Sequence, residues 1–447
     1  MRFSVRLARH PRAIEASLFA LGLAVMGLVL AYAPNSLRPT PSYNDYLSFY
    51  KPVAANLVAG KGFIGLNGLP ALHDPPGYPL ILAFVFWLAD GLHLGREGMV
   101  NVATVVTLAL ACVLVYRVAR AMFGQKVGVV AALLWLTYPI EMLMAPYRFS
   151  EVPFTPILYL TALVFIDGAV RGLPSWRRMA MVGVLIGADA LIRPQAILLV
   201  VPYGLALWAH AHHLRRSEKD TRDAATAHRR RATVGLCAVM VVAYLGTVAP
   251  WEIWVKARTG QTIALSDGGP SAILNGLTVG LHPIDERGHV SLPSGVVALE
   301  KRVQAHQATL TTVGKIAHFM GGQLLAHPLP VVALIVFKAA SSFYGTNSLT
   351  HEPLIALIQL PYLGFMIAGL VLAWRSGGVR RRVAVLAIAV VGYMWIMTIA
   401  VLSIVRYMGP ALGLLIPFAA LALVRSWEWL QARRLGAGAA EPRADVT

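Results

Sequence analysis

About ten apolar stretches of roughly 14 to 21 residues recur along the chain, with basic residues clustered in several of the gaps. No water-soluble core has room for that pattern. At about 1.5 Å per residue, a helix of about twenty apolar residues crosses the hydrocarbon layer of a bilayer. Composition agrees, with 57% of the 447 residues hydrophobic, only 13% charged and a mean hydropathy of +0.63. The chain is therefore read as all-α, a polytopic transmembrane helical bundle of about ten spans. A net charge of +18 would suit nucleic acid, but in a membrane protein it is what basic cytoplasmic loops produce, so no nucleic-acid partner is expected. Cys112 and Cys237 lie inside apolar runs and read as small buried hydrophobes.

Orientation follows from charge. The first span, Ile14 to Tyr32, is preceded by Arg2, Arg6, Arg9 and Arg12 and reads as an uncleaved anchor with its N-terminus in the cytoplasm. The run Pro79 to Leu88 is too short to cross and is read as interfacial. Further spans are expected over Met99–Tyr116, Val127–Met144, Val152–Val170, Met179–Ile192, Gln195–Ala209, Thr233–Ala249, Leu354–Trp374, Val383–Leu402 and Gly409–Val424. This choice puts about 25 of the 39 basic residues on the cytoplasmic side.

The expected organisation is a cytoplasmic N-tail and first span (1–33), a first outer loop with two interfacial helices (34–96) and spans two to seven (97–250). A long outer loop (251–353), spans eight to ten (354–425) and a cytoplasmic tail (426–447) follow. In the first outer loop, Phe49, Tyr50, Val53 and Leu57 recur at helical spacing, with Pro52 in an early turn. The long loop carries a helical pattern over Val296–Phe319 and an apolar piece, Val331–Tyr344, interrupted by Lys338 and read as interfacial.

Ionisable residues collect at the outer ends of the spans: Asp45, His73, Asp74, Arg148, Glu151, Asp189, Arg193, Lys256, Arg258, Lys338, Arg406 and Tyr407. Such groups are costly at a membrane unless paired or wet, which makes them candidates for a site. Each has a plainer reading. Long basic side chains snorkel, and Glu151 in a first helical turn suits the helix dipole as well as a site. Asp189 and Arg193, four apart, favour an ion pair on one helix face. Asp74 serves either beside Asp45 or as a cap for the helix that begins near Pro75. His73, His282, His289 and His327 could serve a metal with Asp45, Asp74 or Asp285, but no ligand spacing is diagnostic and exposed loop histidines are the plainer reading, so a divalent metal is possible but no cofactor is indicated.

Several stretches resemble a known family. Asp45 before an aromatic, Ala54-Ala-Asn-Leu-Val-Ala-Gly-Lys-Gly-Phe63 and Pro75-Pro-Gly-Tyr-Pro-Leu80 look like the first external loop of GT-C glycosyltransferases. The likeness is to bacterial members similar to the protein O-mannosyltransferases and the aminoarabinose (lipid A) transferases. It continues in Tyr147-Arg-Phe-Ser-Glu151, Ala190-Leu-Ile-Arg-Pro194, Pro250-Trp-Glu-Ile-Trp254, Leu274-Asn-Gly276 and Arg406-Tyr-Met-Gly-Pro410. Two departures stand out: the aromatic usually four positions after the acidic residue is Phe49, which leaves Tyr50 one step late, and His73-Asp74 replaces a basic residue before the Pro-Pro turn.

The resemblance implies an inner-membrane enzyme of the cell envelope that moves a monosaccharide, hexose or pentose, from a polyprenyl-phosphate donor to a glycan, lipid or protein hydroxyl. Transfer would occur with inversion on the extracytoplasmic face. Asp45 is then the expected general base, with Asp74 the second catalytic carboxylate. Arg193 and Arg406, with Lys338 behind them, would hold the departing phosphate, and Glu151, His73, Tyr407 and Asn275 would orient sugar or phosphate. The rival readings are a transporter or flippase for lipid-linked sugars, and a non-catalytic binder of them.

Overall fold

The structure is a computed structural model that describes residues 11–34, 44–217, 223–278, 292–346 and 352–438. The expected loop residues His282, Asp285 and His289, and the two extreme tails, lie outside them. Among the described residues there is no strand beyond one isolated bridge, Ile64 to Pro70, and the rest of the regular structure is helical.

Helix α1 (Pro11–Tyr32) leads to a π turn (Tyr46–Tyr50) that continues directly into α2 (Lys51–Val58). Pro52 lacks an N–H and would crowd the carbonyl four residues back in a regular helix; the wider turn just before it removes that conflict. After α3 (Gly77–Gly91) come α4 (Arg96–Phe123), α5 (Gln125–Leu136), α6 (Pro139–Tyr147), α7 (Glu151–Val170) and α8 (Trp176–Ile192). A 3-10 turn (Pro194–Ala196), α9 (Val200–Ser217) and α10 (Asp223–Thr259) follow. The long loop holds α11 (Gly269–Thr278), α12 (Ser294–His306), α13 (Val313–Ala326) and α14 (Pro328–Ser341). The chain ends in α15 (Glu352–Arg375), α16 (Gly378–Ala400), α17 (Val405–Gly413) and α18 (Ile416–Gly438).

Seven helices among the described residues are long and apolar enough to cross a membrane, or nine if each bent pair is one span. The chain is a multi-pass membrane protein. The bent pairs are α5 with α6, at 50°, and α17 with the helix after it, at 59°. The expected spans Val127–Met144 and Gly409–Val424 run across these two bends. Pro139 at the start of α6 and Pro417 at the start of the helix after α17 supply the local reason, since neither has an N–H with which to continue the preceding helix. Helix α8, expected as a span, has 17 residues, roughly 26 Å of rise. Helix α3, with 15 residues, matches the expected short apolar segment.

The expected helix over Val296–Phe319 is two helices, α12 and α13, separated around Thr309–Thr312, where Thr312 caps α13 by accepting from the Lys315 N–H. These pack with α11 and α14 into a small unit with its own core, including Leu277, Leu299, Val303, Ile316 and Leu334. Leu325, Leu329 and Val336 remain uncovered on α13 and α14.

Helices in lipid gain little from apolar burial against one another and associate where small residues allow close packing. Helix α8 does so against α10, with Gly183 under the Met240 carbonyl and a Cβ at Gly187 coming within 2.6 Å of Thr247. The helix ends sort by charge. Glu15 near the start of α1 pairs with Arg117 at 2.5 Å, and Lys126 pairs with Glu428 of α18 at 2.9 Å, so the basic turns gather at one end of the bundle. The start of α7, the end of α8 and the start of α17 meet at the other.

Candidate active site

Pro194 builds the centre of the site. A residue before proline is held out of the helical region, and Arg193 is extended at φ −141° and ψ 127°, which ends α8 and swings its side chain away from Asp189. The expected Asp189–Arg193 pair is therefore not formed. The Asp189 carboxyl is fully buried in the bundle without a hydrogen-bond partner. Arg193 reaches Glu151, the first residue of α7, at 2.7 Å, and donates to Ser150 Oγ at 2.7 Å and to Gln195 Oε1 at 3.3 Å.

Arg406, in the first turn of α17, meets the same carboxylate from the other side, its Nε 3.1 Å from Glu151 Oε1. Its Nη2 donates to the Tyr407 hydroxyl at 3.4 Å and lies 3.9 Å from Asp45 Oδ2. The guanidinium lies over Phe149, 4.0 Å from the ring centre, and Tyr407 packs beneath both arginines, at 4.8 Å from Arg193 and 5.0 Å from Arg406. Glu151 is 1% exposed, whereas the Asp45 side chain is 58% exposed, so the buried pair sits under an accessible carboxylate.

Asp74 joins this group. Helix α3 starts only at Gly77 with Pro76 at its cap position and no side-chain capping bond, so the expected capping role of Asp74 is not observed. Its half-buried carboxyl lies against the Tyr50 hydroxyl. Burial pushes Asp74 up to about 6; His73 and Arg193 oppose the rise and the nearby Asp45 charge adds to it. Tyr50 itself is buried and driven well above its usual range, by burial first and by Asp74 and Asp45 next. The π turn explains its place in the sequence. A turn closed by a bond from Lys51 N–H to the Tyr46 carbonyl brings residues five apart onto one face, so Tyr50 takes the position that a regular helix would give to Phe49.

Other expected residues stand apart. The Lys338 amine donates to the carbonyls of Gly276 at 2.9 Å and Val401 at 3.0 Å, and burial pushes it down to about 7, so it ties α11 to the end of α16 instead of adding charge beside the arginines. Asn275 is exposed on α11, next to that tie. His73 is at the edge of the group, its charge acting on Asp74, but it is exposed, with its ring 6.0 Å from Phe49 and its carbonyl accepting from the Gly268 N–H at 3.2 Å. Arg148 turns the other way, into a cluster with Glu97 and Asn101, where Glu97 also meets Lys51 at 2.6 Å. Lys256 and Arg258 lie exposed in the last turn of α10.

Ser150 and Gln195 were not among the expected site residues, although Ser150 lies in the family-like run that ends at Glu151 and Gln195 follows Arg193 by two positions. Among the described residues no group of three or more His, Cys, Asp or Glu side chains is placed to hold a metal ion.

Residues 73–244 match the sequence family described as dolichyl-phosphate-mannose-protein mannosyltransferase. Among solved structures, the chain is similar to ArnT from Cupriavidus metallidurans bound to undecaprenyl phosphate, with a TM-score of 0.53 and 17% identity over 95% of this chain and 63% of that one. It is also similar to the oligosaccharyltransferase AglB from Archaeoglobus fulgidus in complex with an inhibitory peptide and a dolichol-phosphate, at a TM-score of 0.52 and 14% identity over 97% of this chain and 52% of that one. An Archaeoglobus fulgidus oligosaccharyltransferase tethered to an acceptor peptide gives a TM-score of 0.55 and 14% identity, over 96% of this chain and 52% of that one. The fold is thus that of the GT-C glycosyltransferases. The chain spans between about half and two thirds of the length of these proteins. No curated protein sequence matches it.

Proposed function

We propose that the protein is an integral membrane glycosyltransferase that takes a monosaccharide from a polyprenyl-phosphate carrier and places it on an acceptor hydroxyl at the extracytoplasmic face of the plasma membrane. The observation that carries this reading is the arginine pair, Arg193 and Arg406, beneath the exposed carboxylate of Asp45. The solved relatives of this fold that hold undecaprenyl phosphate or dolichol-phosphate support a lipid phosphate as the ligand. A transporter would place its charges near mid-membrane, whereas this cluster stands at helix ends.

In the proposed reaction the acceptor oxygen attacks the anomeric carbon from the side opposite the phosphate, inverting it. Asp45 takes the hydroxyl proton, and the electrons of the broken C–O bond stay on the phosphate, where the arginines stabilise them. Asp74 and Tyr50 line the approach beside Asp45, and Tyr407 holds both guanidiniums in place.

The test is mass spectrometry of envelope glycans from cells lacking the protein, complemented with wild type or with Asp45→Asn. Wild type should restore a missing sugar, and the variant should lower transfer by roughly 10²- to 10⁴-fold while remaining folded. Full restoration by Asp45→Asn would refute the mechanism.

A further inference from the structure

Glu151 is an odd neighbour for a phosphate site. As the first residue of α7 it has the positive end of the helix dipole behind it, and it is buried between two arginines, one on each carboxylate oxygen. Neither contact has the alignment of a directed hydrogen bond, since both carboxylate oxygens and the Arg406 Nε lack one. Arg193 is already positioned by Ser150 and Gln195, and Arg406 by Phe149 and Tyr407. What Glu151 adds is charge. With it the arginine pair carries a net charge of about +1 instead of +2.

We propose that Glu151 is a specificity-determining residue that acts through Arg193 and Arg406, setting their net charge so that the pair holds a monoanionic phosphodiester and releases a dianionic phosphomonoester. This rests on the reading that the two arginines receive the lipid phosphate. A sugar linked through phosphate to a polyprenol is a diester with one negative charge. Transfer breaks the sugar–phosphate bond, leaves its electron pair on the phosphate and sends the acceptor proton to Asp45, so the phosphate gains a charge as Asp45 loses one. When Asp45 gives up that proton to solvent, a carboxylate is restored 3.9 Å from Arg406, facing a product that carries two charges above its second pKa of about 6. Glu151 then opposes rebinding. A glutamine would fill the same space without this effect.

The full-length protein in lipid nanodiscs tests the idea with two probes that need no knowledge of the sugar: a short-chain polyprenyl monophosphate and its methyl phosphodiester, titrated at pH 5 and pH 8. Wild type should bind the diester at least as tightly as the monophosphate at pH 8, and its affinity for the monophosphate should change by less than about twofold between the two pH values. Glu151→Gln should bind the monophosphate roughly tenfold or more tightly at pH 8, gain little for the diester, and acquire a rise in monophosphate affinity between pH 5 and pH 8. Glu151→Asp should keep the wild-type ratio. Should Glu151→Gln fail to fold, Arg406→Gln supplies the opposite shift, losing more affinity for the monophosphate than for the diester. An unchanged ratio in folded Glu151→Gln or Arg406→Gln, or an equal weakening of both probes, overturns the proposal while leaving the functional reading standing. Failure of wild type to bind either probe overturns both.

Discussion

At the scale of single residues, the site is decided by backbone geometry as much as by side-chain type. Arg193 has the same spacing from Asp189 that stabilises many helices, yet Pro194 forces it out of the helix and gives it to Glu151. Asp74 shows the complementary effect of burial. Its carboxyl, raised from 3.8 to about 6, binds its proton more tightly in the folded chain than in the unfolded one. Between these two values the folded state therefore holds more protons, and stability falls as pH rises through that window. Removing the ionisable group should remove the loss. Asp74→Asn is expected to melt closer to wild type at pH 4 and to gain on it at pH 8, as read by thermal unfolding in detergent. A gap that stays constant across pH would show that Asp74 is not held in this environment.

At the scale of elements, the long loop is tied to the bundle through a few backbone contacts. Gly276 sits directly against the Val401 carbonyl, too close for any side chain, and Lys338 donates to both carbonyls. Val401 lies in the link between α16 and α17, just before Arg406. Lys338→Met leaves two buried acceptors without a donor, a cost of about 1 to 3 kcal/mol each, and should lower the apparent melting temperature by several degrees. Gly276→Ala has a different signature. It should push α11 away from Val401 and reduce sugar transfer more than it reduces thermal stability, measured on the same membranes. Equal loss in both assays would mean that the contact serves only folding.

At the scale of the whole molecule, the bundle has two chemically different ends. Arg117, Arg120 and Lys126 pair with Glu15 and Glu428 at one end, and the Arg193–Glu151–Arg406 cluster occupies the other. Under the proposed topology, the positive-inside rule puts the cluster on the extracytoplasmic side. In a background with Cys112→Ala and Cys237→Ala, a membrane-impermeant maleimide should label Asp45→Cys in intact cells and Arg177→Cys only after permeabilisation. The reverse pattern would invert the topology and remove the site from the extracytoplasmic face.

The sequence by itself determined the class of fold, the short apolar segment over α3 and the set of polar stretches from which the site is drawn. Hydropathy and charge are sums over local windows, and a bilayer reads them locally. It also singled out Glu151 and Tyr407 as candidates, because each lies in a run that resembles the family. Only the tertiary structure decided which charges meet. The partner of Arg193 depends on a proline-imposed break and on the approach of α7 and α17 from distant parts of the chain, and no spacing rule within one helix contains that information. The exchange of Phe49 for Tyr50 was hidden for the same reason: a single π turn, made where Pro52 cannot donate, rotates the following face by one residue.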